Sequence, residues 1–124
     1  MRIVIITGGS RGIGASIAVQ CAKRGMGVIL TYNSNTQAAK KVVSAIEAGG
    51  GKAVALELDV GSSAAFPAFH DAVGQALATI WSAKSFDFLV NNAGYGLYNS
   101  IATVNEDDFD GLFRVHLKGP FFLT

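Results

Sequence analysis

The sequence predicts a doubly wound α/β domain of three layers, a parallel sheet with helices on both faces. Three observations predict it. Four short apolar runs alternate with four stretches whose apolar residues recur at helical spacing. Strands that alternate with helices form parallel sheets through right-handed crossovers. A glycine-rich turn, Gly8 to Gly14, joins the first run to the first helix, and Asn91-Asn92-Ala93-Gly94 closes the fourth run. In the strand order 3-2-1-4 both segments fall at carboxyl ends of adjacent strands, where the winding reverses and a ligand crevice opens.

Each element has its own signal. Ile3-Val4-Ile5-Ile6 is β-branched and apolar throughout, as a fully buried strand is. Ile13, Ile17, Ala18, Cys21 and Ala22 then line one helix face, and Arg24-Gly25-Met26-Gly27 supply a C-terminal cation and a stop. Val28–Tyr32 is the second strand, closed by Asn33-Ser34-Asn35. The second helix starts at Thr36, buries Ala39, Val42, Val43 and Ile46, and ends at Gly49-Gly50-Gly51. Ala53–Leu58 is the third strand, stopped by Asp59-Val60-Gly61. The third helix runs from about Ala64 to Ser82, provided that Pro67 falls in its first turn. His70 is placed on its surface. Phe86–Val90 is the fourth strand, apolar on both faces and exposed to association if nothing pairs beside it. The last helix runs from Glu106 through Phe109, Leu112, Phe113 and Leu117 to the chain end.

Composition bounds the function. The 124 residues make one domain or part of one, with 50% apolar and 15% charged residues, which excludes disorder. A net charge of +1 gives no electrostatic case for nucleic acid or an anionic membrane. No signal peptide and no spanning apolar run is present, so the default location is cytoplasmic. No metal is expected. The single cysteine rules out an internal disulfide, and Cys21 reads as a packed core thiol, with a reactive thiol as the rarer alternative.

A strand that turns on glycines into a helix aims the helix's free N–H groups and positive dipole end at one point, which suits a phosphate or pyrophosphate. Alone, Gly8-x-x-x-Gly12-x-Gly14 is either a nucleotide site or simply a glycine-rich turn. Three segments together are more specific. Thr7-Gly8-Gly9-Ser10-Arg11-Gly12-Ile13-Gly14, Asp59-Val60 and Asn91-Asn92-Ala93-Gly94 resemble, in order and near spacing, the cofactor motifs of the short-chain dehydrogenases/reductases. Val115 to Phe122 resembles that family's fifth helix. The resemblance covers the whole chain and the N-terminal half of a typical member.

It implies a Rossmann-type cofactor domain over residues 1–124 and an oxidoreductase that moves a hydride between nicotinamide and a carbonyl/alcohol pair. By resemblance, Thr7, Gly8, Ser10, Arg11, Gly12, Ile13 and Gly14 cradle the pyrophosphate, and Asp59 and Val60 hold adenine. Asn91 ties the fourth strand to its neighbours, while Ala93 and Gly94 pass close to the ribose. Outside the resemblance, Asp59 is an ordinary turn carboxylate and Asn-Ala-Gly an ordinary turn.

Cofactor choice has a physical argument. A ribose 2′-hydroxyl is usually held by a carboxylate about twenty residues beyond the glycines, and Thr31-Tyr32-Asn33-Ser34 offers none. Tyr32, Asn33, Ser34 and Arg11 suit a 2′-phosphate, so NADP(H) is expected over NAD(H). The bland alternative for Arg11 is a solvated turn residue.

His116 stands where the family has a catalytic asparagine whose carbonyl holds a relay water. Pro120, four residues on, has no N–H to give that carbonyl, so the water-holding role survives the change on paper. A plain helix histidine is the alternative. Tyr32, Tyr95 and Tyr98 are followed four residues later by Thr36, Asn99 and Ala102, so the family's tyrosine–lysine pair is expected beyond Thr124. The 124 residues alone are therefore expected to be inactive. The second helix and its preceding turn resemble 3-oxoacyl carrier-protein reductases and sugar dehydrogenases. The resemblance also implies a homodimer or homotetramer through the fifth helix, although Phe109, Phe113 and Leu117 fit a face buried on the sheet equally well. The rival readings are a non-catalytic dinucleotide-binding module and an inactive fragment.

Overall fold

The computed structural model describes residues 1–124. The first strand, β1 (Ile3–Ile6), leads through the glycine turn into α1 (Gly12–Lys23), followed by β2 (Gly27–Tyr32), α2 (Thr36–Ala48) and β3 (Ala53–Glu57). A 3-10 turn over Ser63–Ala65 opens α3 (Phe66–Trp81), and β4 (Phe88–Val90) comes next. The C-terminal helix has three parts: α4 (Glu106–Phe113), a π turn over Arg114–Lys118, and α5 (Gly119–Leu123).

All strand pairs are parallel, in the order β3-β2-β1-β4, as the sequence predicts. Because side chains alternate along a strand, each face of the sheet has its own core. Ile3, Ile5 and Ile29 pack with Leu58, Val60, Phe69, Val73 and Leu77 on the α3 side. Val4, Ile6, Val28 and Leu30 pack with Ala18, Ala39 and Ile46 on the α1/α2 side. β1 and β2 are thus covered on both faces, which is why both are unbroken apolar runs.

Several boundaries differ from expectation, and at β4 the reason is local. β4 is shorter than Phe86–Val90, because Asp87 substitutes its side chain for a ladder carbonyl: the Ile3 N–H donates to Asp87 Oδ2 at 2.7 Å. β2 starts one residue early, at Gly27, and β3 stops at Glu57, although Leu58 remains in the core. Ile13, expected on the buried face of α1, is 75% exposed at the helix start. Cys21 is half-buried and packs on the α1/α2-side core. Pro67 does fall in the first turn of α3, and His70 is exposed beside Asp71.

The last helix is not uniformly α-helical. Pro120 cannot donate to the His116 carbonyl, and the ladder slips so that the Gly119 N–H bonds to the Arg114 carbonyl, five residues back. Phe109, Phe113 and Leu117 are exposed, so their face does not lie on the sheet of this chain. No helix is long and apolar enough to cross a membrane.

Candidate functional site

The turn after β1 is held from both sides. On the β2 side, the Gly8 N–H donates to Thr31 Oγ1 at 3.1 Å and the Gly9 N–H to the Thr31 carbonyl at 2.9 Å. On the β4 side, Thr7 Oγ1 accepts the N–H groups of Asn92 and Ala93, both at 3.0 Å. Asn92 Nδ2 returns two bonds, to the Thr7 and Gly8 carbonyls, both at 3.1 Å.

Glycine is required here for two separate reasons. Gly8 has φ +65°, where a side chain is strained, and a Cβ there would stand 2.9 Å from Ala93 Cα. A Cβ on Gly14 would collide with the Gly8 carbonyl and stand 2.5 Å from Asn92 Nδ2. The first turn of α1 is thereby packed against the strand ends.

The helix start is left open. Arg11 is the N-cap residue, in extended conformation, with no side-chain capping bond. The Ala15 N–H already bonds to the Arg11 carbonyl, so Gly12, Ile13 and Gly14 carry the N–H groups without an intrahelical acceptor. Those donors and the helix dipole favour an anion.

This start opens on a cleft of roughly 630 Å³, within the ~300–1,000 Å³ typical of small-molecule sites. The cleft lies at the carboxyl ends of the strands. Of the residues expected to bind cofactor, Gly8, Ser10, Arg11, Gly12, Ile13, Tyr32, Asn33, Ser34, Asp59, Val60, Ala93 and Gly94 line it. A Cβ on Gly12 would meet no protein atom, so the backbone of the cleft wall is bare at that point, as close approach by a diphosphate requires. The donor set therefore fits a dinucleotide. Asp59 uses Oδ1 to accept the Gly61 N–H at 2.9 Å, which fixes the carboxylate in the turn. Apart from the approach of His70 Nδ1 to Asp71 Oδ1 at 3.8 Å, no basic side chain in the chain meets a carboxylate, so none neutralises Arg11. No group of three or more His, Cys, Asp or Glu side chains that could hold a metal comes together.

Three expected residues lie off the cleft wall. Thr7 and Gly14 are buried behind the turn and shape it. Asn91 requires a correction: the tie from β4 to its neighbours is made by Asn92, while Asn91 is exposed and donates to Thr124 Oγ1 at 3.2 Å. Successive residues at the end of a strand point to opposite sides, and the second asparagine faces β1. Sequence reasoning also missed Thr31, Asn35, Leu58, Asn92, Tyr95 and Val115 on the wall. For Thr31 one signal was present, a hydroxyl ending the apolar run Val28-Ile29-Leu30.

His116 does not line the cleft. Its Nε2 lies 3.1 Å from the Tyr95 nitrogen and 2.8 Å from the Tyr95 carbonyl oxygen, and the two rings are 5.8 Å apart. A bare Nε2 accepts from the Tyr95 N–H, and a protonated one donates to the Tyr95 carbonyl. The imidazole thus braces the loop that follows Gly94 against the π turn.

Comparison with known proteins agrees with this geometry. The family model of the short chain dehydrogenases matches residues 2–124. Elsinochrome reductase 1 of Elsinoe fawcettii is 35% identical over 124 residues, which are 99% of this chain and 44% of the relative. A short chain dehydrogenase from Burkholderia cenocepacia in complex with NADP is 34% identical, with a TM-score of 0.88, over 98% of this chain and 47% of that one. The landomycin C-6 ketoreductase LanV with bound NADP and rabelomycin is 31% identical, with a TM-score of 0.94, over 98% of this chain and 50% of that one. The chain thus spans about half the length of the proteins it matches. With its sheet order, its glycine turn and this match over nearly every residue, the chain belongs to the short-chain dehydrogenase family.

Proposed function

We propose that these residues bind the cofactor of an NADP(H)-dependent oxidoreductase that interconverts a ketone and an alcohol. The observation that carries the reading is the cleft itself, where an uncapped helix start, a bare glycine backbone and an unpaired arginine meet. Bound NADPH supplies the hydride. The amides of Gly12–Gly14 hold the pyrophosphate and Ser10 joins them. Arg11 and the Tyr32–Ser34 turn receive the 2′-phosphate, Asp59 and Val60 hold adenine, and Ala93 and Gly94 border the ribose. The absence of a carboxylate at the end of β2 supports NADP(H) over NAD(H). The NADP complexes of two matched structures support the same choice.

The matched proteins are named a reductase and a ketoreductase, which supports ketone reduction as the working direction. Within this class we take ketones other than 3-oxoacyl carrier-protein or sugar substrates first. The His116 carbonyl keeps the relay-water role, and its ring holds the neighbouring loop. The exposed face of Phe109, Phe113 and Leu117 supports a homodimer or homotetramer, and a cytoplasmic location is part of the proposal. The 124 residues alone bind cofactor without turnover.

Calorimetric titration of the intact protein with NADPH and NADH tests the reading, followed by NADPH oxidation against ketones, a 3-oxoacyl thioester and sugars. Tighter binding of NADPH is expected, with faster turnover of ketones that are neither 3-oxoacyl thioesters nor sugars. No binding of either dinucleotide overturns the proposal. Binding without turnover of any substrate favours a non-catalytic module.

A further inference from the structure

We propose that Thr31 is a positioning residue for the phosphate-binding turn, an inference that rests on the cofactor reading above. Thr31 sits near the end of β2 and is 1% exposed. Its hydroxyl accepts the Gly8 N–H and its carbonyl accepts the Gly9 N–H, so one residue takes two consecutive amides of the turn. Only two polar side chains in the chain are buried, Thr7 and Thr31: Thr7 ties the start of the turn to the segment after β4, and Thr31 ties it to β2.

Nothing about strand formation calls for a hydroxyl at position 31. Valine has the same branched shape and would continue the apolar run Val28-Ile29-Leu30. A buried hydroxyl is unfavourable unless it is bonded, and a buried N–H without an acceptor is more so. The Thr31–Gly8 bond gives the Gly8 N–H its acceptor and the hydroxyl oxygen a donor. It also sets the division of labour among the amides. Gly8 and Gly9 are committed to β2, while those of Gly12, Ile13 and Gly14 remain free for an anion. The turn therefore has its binding shape before the ligand arrives, and no ordering cost falls on binding.

Thr31 acts on the pyrophosphate side and not on the 2′-phosphate, which gives the role a distinctive signature. In the intact protein, Thr31→Val is expected to weaken NADPH and NADH by the same factor, roughly tenfold, leaving their ratio unchanged. Thr31→Ser restores the acceptor and is expected to recover affinity to within about threefold of wild type. Wild-type affinity in Thr31→Val overturns the proposal, and so does a loss confined to NADPH. Amide exchange at Gly8 in the nucleotide-free wild-type protein does not depend on how the variants fold. Protection is expected there, and exchange as fast as an open loop overturns the clamp. Failure of the wild-type protein to bind either dinucleotide overturns the cofactor reading and the positioning role with it, an outcome distinct from equal affinity in wild type and Thr31→Val.

Discussion

The starts of α1 and α2 solve one problem in opposite ways. Both helices follow a strand of the same sheet, and both begin with N–H groups that no helix carbonyl can reach. At α2, Asn35 closes its own helix, accepting the Ala38 N–H at 3.0 Å. Asn105 does the same for α4, accepting the Asp108 N–H at 2.8 Å, with three acids in the first turn to meet the dipole. At α1 the capping position holds Arg11, whose side chain makes no capping bond and places a cation at the positive end of the dipole. That arrangement is unfavourable in isolation and becomes favourable when an anion sits between them. The difference marks which helix start is finished and which one waits for a ligand.

Reversing the arrangement at α1 should give the largest effect. Arg11→Asp supplies both a cap and an acid to a helix start that lacks them. In calorimetry it is expected to weaken NADPH roughly a hundredfold. Without nucleotide, the same variant should be more stable by about 1 kcal/mol in denaturant unfolding. A loss of stability without nucleotide would break the comparison. Gly14→Ala comes next. Its methyl meets the Gly8 carbonyl and the Asn92 amide, so the turn must shift, at a cost of about 1–3 kcal/mol in stability. Its NADPH affinity should fall by at least tenfold, and wild-type affinity would show that the turn tolerates displacement.

The finished helix start should behave otherwise. Asn105→Ala removes the cap of α4, off the cleft wall, and is expected to cost about 1 kcal/mol in thermal or denaturant unfolding, with NADPH affinity unchanged. A matching loss of affinity would mean that α4 also serves the ligand. The smallest effect belongs to His116→Asn. An amide offers Tyr95 a donor and an acceptor together, whereas one ring nitrogen serves a single partner at a time. Stability is expected to stay equal or rise by up to about 0.5 kcal/mol, read as a melting shift. A marked fall would show that the ring, and not the hydrogen bond, holds the loop.

What could be read from the sequence follows from how local each signal is. β1 and β2 are sealed on both faces, so their apolar runs announce them, and the parallel order follows from the alternation of strands and helices. The glycine turn is local as well, and the residues it contributes to the cleft wall were legible one by one. β4 was harder, because the side chain of Asp87 takes the place of a strand bond to Ile3 and no propensity encodes that. Choosing between Asn91 and Asn92 depends on which way a strand end faces, and the pair reads the same in either register. Thr31 and His116 act on partners 23 and 21 residues away, through a hydroxyl and a ring whose targets only the fold brings near. The slip into a π turn before Pro120 is another case, since the proline predicts a missing bond without predicting how the ladder closes around it.

The central claim is that the open start of α1 receives the pyrophosphate, and the most direct measurement is an amide chemical-shift titration with NADPH. The largest shifts are expected at Gly12, Ile13 and Gly14, with the Asn105-capped amide of Asp108 in α4 nearly still. Unmoved α1 amides at saturating NADPH, or shifts concentrated at α4, would contradict it.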